Sequence, residues 1–176
     1  MMKRLSIISI FIFVTTLSYA QNDKVQNVHS LKASFIGLSY AYEQSISQKL
    51  TINLELMLAG GFGSNFIGGD YWLVSPIMRV EPRYYYNYLK RAENSKNTNH
   101  NSANYLSLSA DYQFGSSFGS NAHALRAFCL IPKWGLKRAI GNHFIFEFAT
   151  GIGAYTSEIE TWKPTLGLDL KFGYSF

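Results

Sequence analysis

The chain has 176 residues, of which 47% are hydrophobic, 16% aromatic and only 15% charged, with one cysteine and a formal net charge of +5. The hydrophobic share exceeds that of disordered chains, while the charged share falls below the roughly 25% usual in soluble domains. A single cysteine excludes an internal disulfide and any cysteine-cluster zinc site.

Residues 1–20 have the pattern of a cleavable export signal. Lys3 and Arg4 precede an apolar run from Leu5 to Val14, and Ser18 and Ala20 are small where a signal peptidase needs them. The run is shorter than the roughly 18 residues that cross a bilayer as a helix. Cleavage after Ala20 leaves 21–176 as one domain. Without Lys3 and Arg4, fourteen basic residues face eleven acidic ones, so the mature charge is +3. Part of the basicity is an address label, and no nucleic-acid partner is expected.

In chain order, a weak first strand is expected over 24–31, where Val25 and Val28 fall out of phase. Clear strands follow at 35–43, 49–59, 72–86, 104–114, 124–138, 143–155 and 164–176. Their signal is period two. Leu50, Ile52, Leu54, Leu56 and Leu58 alternate with Thr51, Asn53 and Glu55. Leu106, Leu108, Ala110 and Tyr112 alternate with Ser107, Ser109 and Asp111. Phe128, Leu130, Pro132, Trp134 and Leu136 oppose Lys133, Gly135 and Lys137, and the run from Phe144 to Ile152 opposes Glu147, Gly151 and Gly153. The last strand is the clearest, with Leu166, Leu168, Leu170, Phe172, Tyr174 and Phe176 against Gly167, Asp169, Lys171, Gly173 and Ser175.

Alternation alone fits a soluble sandwich as well as a membrane barrel. Length separates them, because strands of about ten residues suit a tilted membrane crossing and exceed the usual five or six of soluble proteins. Aromatic residues also gather near strand ends, at Tyr40, Tyr42, Trp72, Tyr84 to Tyr86, Tyr112, Phe114, Tyr174 and Phe176, as interfacial girdles require. The expected fold is all-β, an eight-stranded antiparallel up-and-down transmembrane β-barrel. Connections at 32–34, 60–71, 115–123 and 156–163 would face outward from the cell, and those at 44–48, 87–103 and 139–142 the periplasm. The long polar connection 87–103 then lies on the side where short turns are the rule.

Glu81-Pro82-Arg83-Tyr84-Tyr85-Tyr86-Asn87, Lys90-Arg91-Ala92, Asn101-Ser102-Ala103-Asn104-Tyr105-Leu106, Pro132-Lys133-Trp134-Gly135-Leu136-Lys137-Arg138 and the ending Phe172-Gly173-Tyr174-Ser175-Phe176 resemble a family of small exported outer-membrane β-barrel proteins. The resemblance covers most of 79–176 and implies fold and location without a reaction. The final strand, with Leu170, Phe172, Tyr174 and Phe176, is similar to the signal read by the barrel-assembly machinery.

Candidate functional residues lie on inward phases. Arg79, Glu81 and Arg83 are spaced by two, which sets same-face neighbours about 6.5–7 Å apart. With Glu43, Glu55, Asp111, Lys133, Lys137, Glu147, Asp169 and Lys171, they are expected to form a paired lumen network, because isolated buried charges are costly. His29, His100, His123 and His143 form no helical pair, and His143 and Glu147, on one inward face, are too far apart for one metal. His100 and Ser102 resemble the His-x-Ser pair of outer-membrane lipid A deacylases but fall in a polar turn. Gly60-Gly61-Phe62-Gly63 with Gly68-Gly69 reads as an outer loop, Gly151 and Gly153 as room-makers, and Cys129 as a small buried filler. Lys90, Arg91 and Lys96 read as a solvated turn, or as a contact for an anionic periplasmic partner or inner-leaflet headgroups.

The expected protein is a non-enzymatic barrel of the cell outer membrane, without cofactor or metal, with a structural, surface-binding or interaction role. Its partners would be outer-membrane lipid, lipopolysaccharide and the assembly machinery. A small ion or solute channel is the alternative, followed by a lipid-modifying enzyme.

Overall fold

The computed structural model describes residues 24–65, 69–115, 118–120 and 124–176; the expected export signal, Gly68 and His123 lie outside them. The alternating segments form β1 (Val28–Ser34), β2 (Gly37–Ser45), β3 (Leu50–Asn65), β4 (Gly69–Tyr84), β5 (Asn104–Gln113), β6 (Phe118–Ser120), β7 (Ala127–Ile140), β8 (Phe144–Ser157) and β9 (Lys163–Ser175). Their order around the sheet is β1, β2, β3, β4, β5, β7, β8, β9, with β1 paired back onto β9 from Ser30↔Ser175 to Ser34↔Lys171. Short β6 takes over from β5 against β4, pairing Trp72 to Val74 beyond the Ile77↔Gln113 pair. Every pairing is antiparallel, and the result is a closed eight-stranded barrel. Closure gives each strand two neighbours over its paired length.

The two phases of each strand separate by polarity. On β9, Leu166 and Leu168 are 68% and 65% exposed, whereas Lys171 is 3% exposed and Ser175 is fully buried. The same inversion runs around the barrel. Leu31, Leu38, Leu56, Leu106, Phe144 and Ile152 face outward, while Lys32, Glu43, Glu55, Arg79, Glu147 and Lys171 are buried. Lys, Glu and Arg are almost never fully buried unless paired.

Several expected boundaries move. The first strand is 28–34, not 24–31, because Val25 leaves the ladder and is buried at the barrel end, its N–H bonded to the carbonyl of Gln48 at 3.2 Å. The first turn therefore falls after Ser34 and not at 32–34. Its apolar Phe35 and Ile36 are exposed, and Ser34 pairs with Gly37. Residues 60–65 and 69–71, read as loop, are ladder: Gly60 to Asn65 pair with Val74 to Gly69. The reason is register, since this hairpin carries on past the apolar alternation that marked its lower half.

The largest correction concerns 87–103. Read as a solvated turn, it folds into a short helix α1 (Tyr88–Glu93) and a 3₁₀ turn (Asn99–Asn101) that cap one end of the barrel. Tyr88, Ala103 and Val25 pack with Tyr85, Tyr105 and Ala149 into the molecule's buried apolar cluster, with Leu89 against it. Asn101 ties the cap to the first strand's approach, accepting from the Gln26 N–H at 2.6 Å and donating to its carbonyl at 2.9 Å. His100, at φ 51°, reaches the Asn142 carbonyl with Nε2 at 2.6 Å and places Nδ1 3.0 Å from Ser175 Oγ. A non-glycine residue in this left-handed region is uncommon. Here it is held from both sides.

Candidate functional site

The inward phases meet in the lumen. Six cations, Lys32, Arg79, Arg83, Lys133, Lys137 and Lys171, face six carboxylates, Glu43, Glu55, Glu81, Asp111, Glu147 and Asp169, so the described lumen is formally neutral. Toward the capped end, Glu43 is the hub. It accepts from Lys137 Nζ at 2.8 Å, Thr51 Oγ1 at 2.7 Å and Tyr85 Oη at 2.7 Å. One level further, Glu147 takes Lys32 Nζ on both oxygens at 3.0 Å and lies 3.4 Å from Arg83 and 3.5 Å from Lys137. Arg83 also donates from Nε and Nη2 to Glu81 at 2.8 and 2.6 Å, and its guanidinium lies 4.7 Å from the centre of the Tyr105 ring.

Toward the opposite end, Lys171 holds both oxygens of Glu55 at 2.8 Å, and Ser39 adds a third donor. Arg79 grips Asp111 in a fork, at 2.7 and 2.8 Å, and reaches Asp169 at 3.1 Å, where Lys133 also bonds at 2.7 Å. Fork geometry gives the stronger charge-assisted bonds. Two of these contacts span the full width of the lumen. Lys137 on β7 and Glu43 on β2 sit on opposite sides of the barrel, as do Arg79 on β4 and Asp169 on β9. An eight-stranded barrel is just wide enough for side chains to fill it. Here charged side chains bridge it.

All seven residues singled out from sequence for the lumen, Glu55, Arg79, Glu81, Arg83, Asp111, Lys133 and Glu147, belong to this network. Sequence reading placed Tyr85 in an outer girdle, and it passed over Tyr105. Both are buried in the lumen, packed at 5.3 Å between ring centres. Phase could have found them, since Tyr85 follows Arg79, Glu81 and Arg83 in steps of two, and Tyr105 precedes Ser107, Ser109 and Asp111. Asn53 is the lumen's unsettled member: it is fully buried, and neither Nδ2 nor Oδ1 has a partner.

The other candidates disperse. His143 does not share the lumen with Glu147; it lies exposed in the β7–β8 turn and stacks on Tyr174 at 5.1 Å. His29 stacks on Tyr42 at 4.5 Å and meets Tyr40 Oη at 2.7 Å on the outer face. His100 and Ser102 do not join: Ser102 Oγ accepts from the Ala139 N–H at 3.0 Å, while His100 engages Asn142 and Ser175. Both serve to anchor the cap. Cys129 is half-buried on the inward phase. Gly151 and Gly153 face the carbonyls of Pro132 and Leu130 so closely that a Cβ would clash, at 1.9 and 2.2 Å. Leu170, Phe172, Tyr174 and Phe176 line the outer face of β9, the last three exposed. In the turn between β8 and β9, Lys163 and Tyr155 donate to Glu160 and hold its carboxyl below the usual range.

No family model, curated protein or solved structure matches the chain. A closed eight-stranded barrel, polar within and apolar without, fits an outer-membrane-type β-barrel.

Proposed function

We propose that this protein is an integral β-barrel of the cell outer membrane whose charged interior braces its strands and conducts nothing, leaving its role to its surfaces. One observation carries the reading: charges fill the lumen while leucine, phenylalanine and isoleucine side chains stand exposed around the wall. In hydrocarbon only a structure that satisfies its backbone internally is tolerated, and a barrel does so. Exposed aromatic residues support it further. Tyr84, Tyr86, Trp134, Tyr174 and Phe176 gather toward the capped end, and Trp72, Phe114, Phe118 and Trp162 toward the other. The outward row Leu170, Phe172, Tyr174 and Phe176 would be read by the barrel-assembly machinery, and lipid and lipopolysaccharide would surround the wall. The N-terminal stretch read as an export signal supports the location.

The test is mobility of the outer-membrane fraction in SDS, with and without boiling, followed by planar-bilayer recording of the purified protein. A band that shifts on heating and a silent bilayer are expected. Extraction from the periplasm without detergent would refute the location. Discrete conductance steps would refute the closed lumen.

A further inference from the structure

The basic residues outside the lumen are unevenly placed. At the end opposite the cap, Arg126 lies 3.4 Å from Glu158 and Lys163 is paired with Glu160. At the capped end stand Lys24, Lys49, Lys90, Arg91, Lys96 and Arg138, and no carboxylate lies within 4.0 Å of any of them among the described residues. Three of these cations converge. Lys90, Arg91 and Lys96, with Tyr86, Asn87 and Asn94, line a cavity of about 450 Å³ on the side of the cap.

The fold holds this cluster together against its own repulsion. Arg91 is fixed by bonds from Nε to the Ser102 carbonyl at 2.8 Å and from Nη2 to the Asn97 carbonyl at 3.0 Å. Arg138 is brought to the other side of the same junction, donating to the Lys137 carbonyl at 2.7 Å and to Asn104 Oδ1 at 2.5 Å. Backbone carbonyls orient the two guanidinium groups without neutralising them. Lys90 and Lys96 are exposed and make no hydrogen bond through their ammonium groups among the described residues.

The remaining wall is aromatic. Tyr86 closes the cavity on the barrel side, and its hydroxyl accepts from Trp134 Nε1 at 3.0 Å and from Asn104 Nδ2 at 3.2 Å. Tyr86 and Trp134 each remain 39% exposed and point outward. Aromatic residues of this kind mark the depth of lipid headgroups. A polyanion in solution has no use for such a flank. A phosphate joined to acyl chains does.

We infer that this cavity binds the headgroup phosphate of an anionic phospholipid in the leaflet that meets the capped end, with Lys90, Arg91 and Lys96 around the phosphate and Tyr86 and Trp134 beside the first carbons of the chains. The inference rests on the membrane reading above. It gives the long connection between β4 and β5 a task besides capping the lumen.

The test uses the full chain refolded into phosphatidylcholine vesicles, with Trp72 and Trp162 replaced by phenylalanine so that Trp134 alone reports. Chain-brominated phosphatidylglycerol should quench Trp134 more strongly than chain-brominated phosphatidylcholine at equal mole fraction. Lys90→Gln with Lys96→Gln, neither of which carries a structural bond, should lower that preference by about two- to fivefold per lysine. Arg91→Lys, which keeps the charge, should retain most of it, and Arg126→Gln with Lys163→Gln should leave it unchanged. An undiminished preference in the Lys90/Lys96 variant overturns the inference, as does loss of the preference on adding millimolar inorganic phosphate, which would make this a site for the free ion. Equal quenching by both lipids overturns the cavity's role and leaves the membrane reading standing. No quenching by either overturns both.

Discussion

Replacing Glu147 by glutamine removes one lumen charge with almost no change in shape. Within 4.0 Å, Lys32 meets no other carboxylate among the described residues, and both side chains are almost wholly buried. Arg83 keeps Glu81 and Glu43, and Lys137 keeps Glu43. One buried cation thus loses its ion-pair partner and keeps only the more distant field of Glu55, which costs about 3–5 kcal/mol. The converse change is milder. Lys32→Met leaves Glu147 beside Arg83 at 3.4 Å and Lys137 at 3.5 Å, so the loss is that of one charged hydrogen-bonding partner, about 1.5–3 kcal/mol. The double variant should be more stable than Glu147→Gln alone, with a coupling of about 1–3 kcal/mol. Urea titration of the refolded protein in vesicles, followed by tryptophan fluorescence, measures all three. The reasoning fails if Glu147→Gln costs less than about 1 kcal/mol, or if Lys32→Met costs more than Glu147→Gln.

Three further outcomes follow from other parts of the barrel. Asn53→Leu, which replaces an unpartnered buried amide with an apolar group of similar size, should be neutral or stabilising by about 1 kcal/mol in the same titration, and a clear loss would reveal a partner the lumen holds for it. Gly135→Ala would drive a methyl to 2.4 Å from the Tyr105 ring and should cost about 1–3 kcal/mol, with Tyr105→Leu restoring part of the loss. Leu56→Arg, at a position 60% exposed, should cost about 2–4 kcal/mol if lipid surrounds the wall, whereas a water-facing surface would absorb it within about 0.5 kcal/mol.

What sequence could reveal here was phase. Inward and outward sets along β3, β5, β7 and β9 follow directly from alternation, because a strand reverses face at every residue. For the same reason eleven of the twelve network charges were readable one by one, Lys32 excepted because it fell in the expected turn at 32–34, although their partners were not: Lys137 and Glu43 are 94 residues apart, and pairing across the lumen depends on the shear of the closed sheet. Tyr85 was missed because three consecutive tyrosines look like a girdle unless phase is carried past the last charged residue. The start of β1 was misplaced because Val25 and Val28 are both buried for different reasons, one in the cap and one in the ladder. The cap itself was hidden by its composition. Its polar residues bond to the barrel's backbone, a tertiary event that local polarity does not announce.

The contacts across the lumen also govern how the barrel can fold. Strands β1–β4 carry Lys32, Arg79 and Arg83 with Glu43, Glu55 and Glu81, and the later strands carry an equally balanced set. Each half satisfies only part of its own charges: Arg83 finds Glu81 and Glu43 within β1–β4, and Lys133 finds Asp169 within the later strands, but Lys32 waits for Glu147 on β8, Asp111 for Arg79 on β4, and Glu55 for its nearest cation, Lys171 on β9. A partly formed sheet therefore presents unpaired ions on the face that will become the interior, and that face must remain in contact with water until β1 meets β9. Assembly should be late-committing and highly cooperative, with half-barrels too unstable to accumulate and the final seam, only five residue pairs long, completing the ion network as it closes.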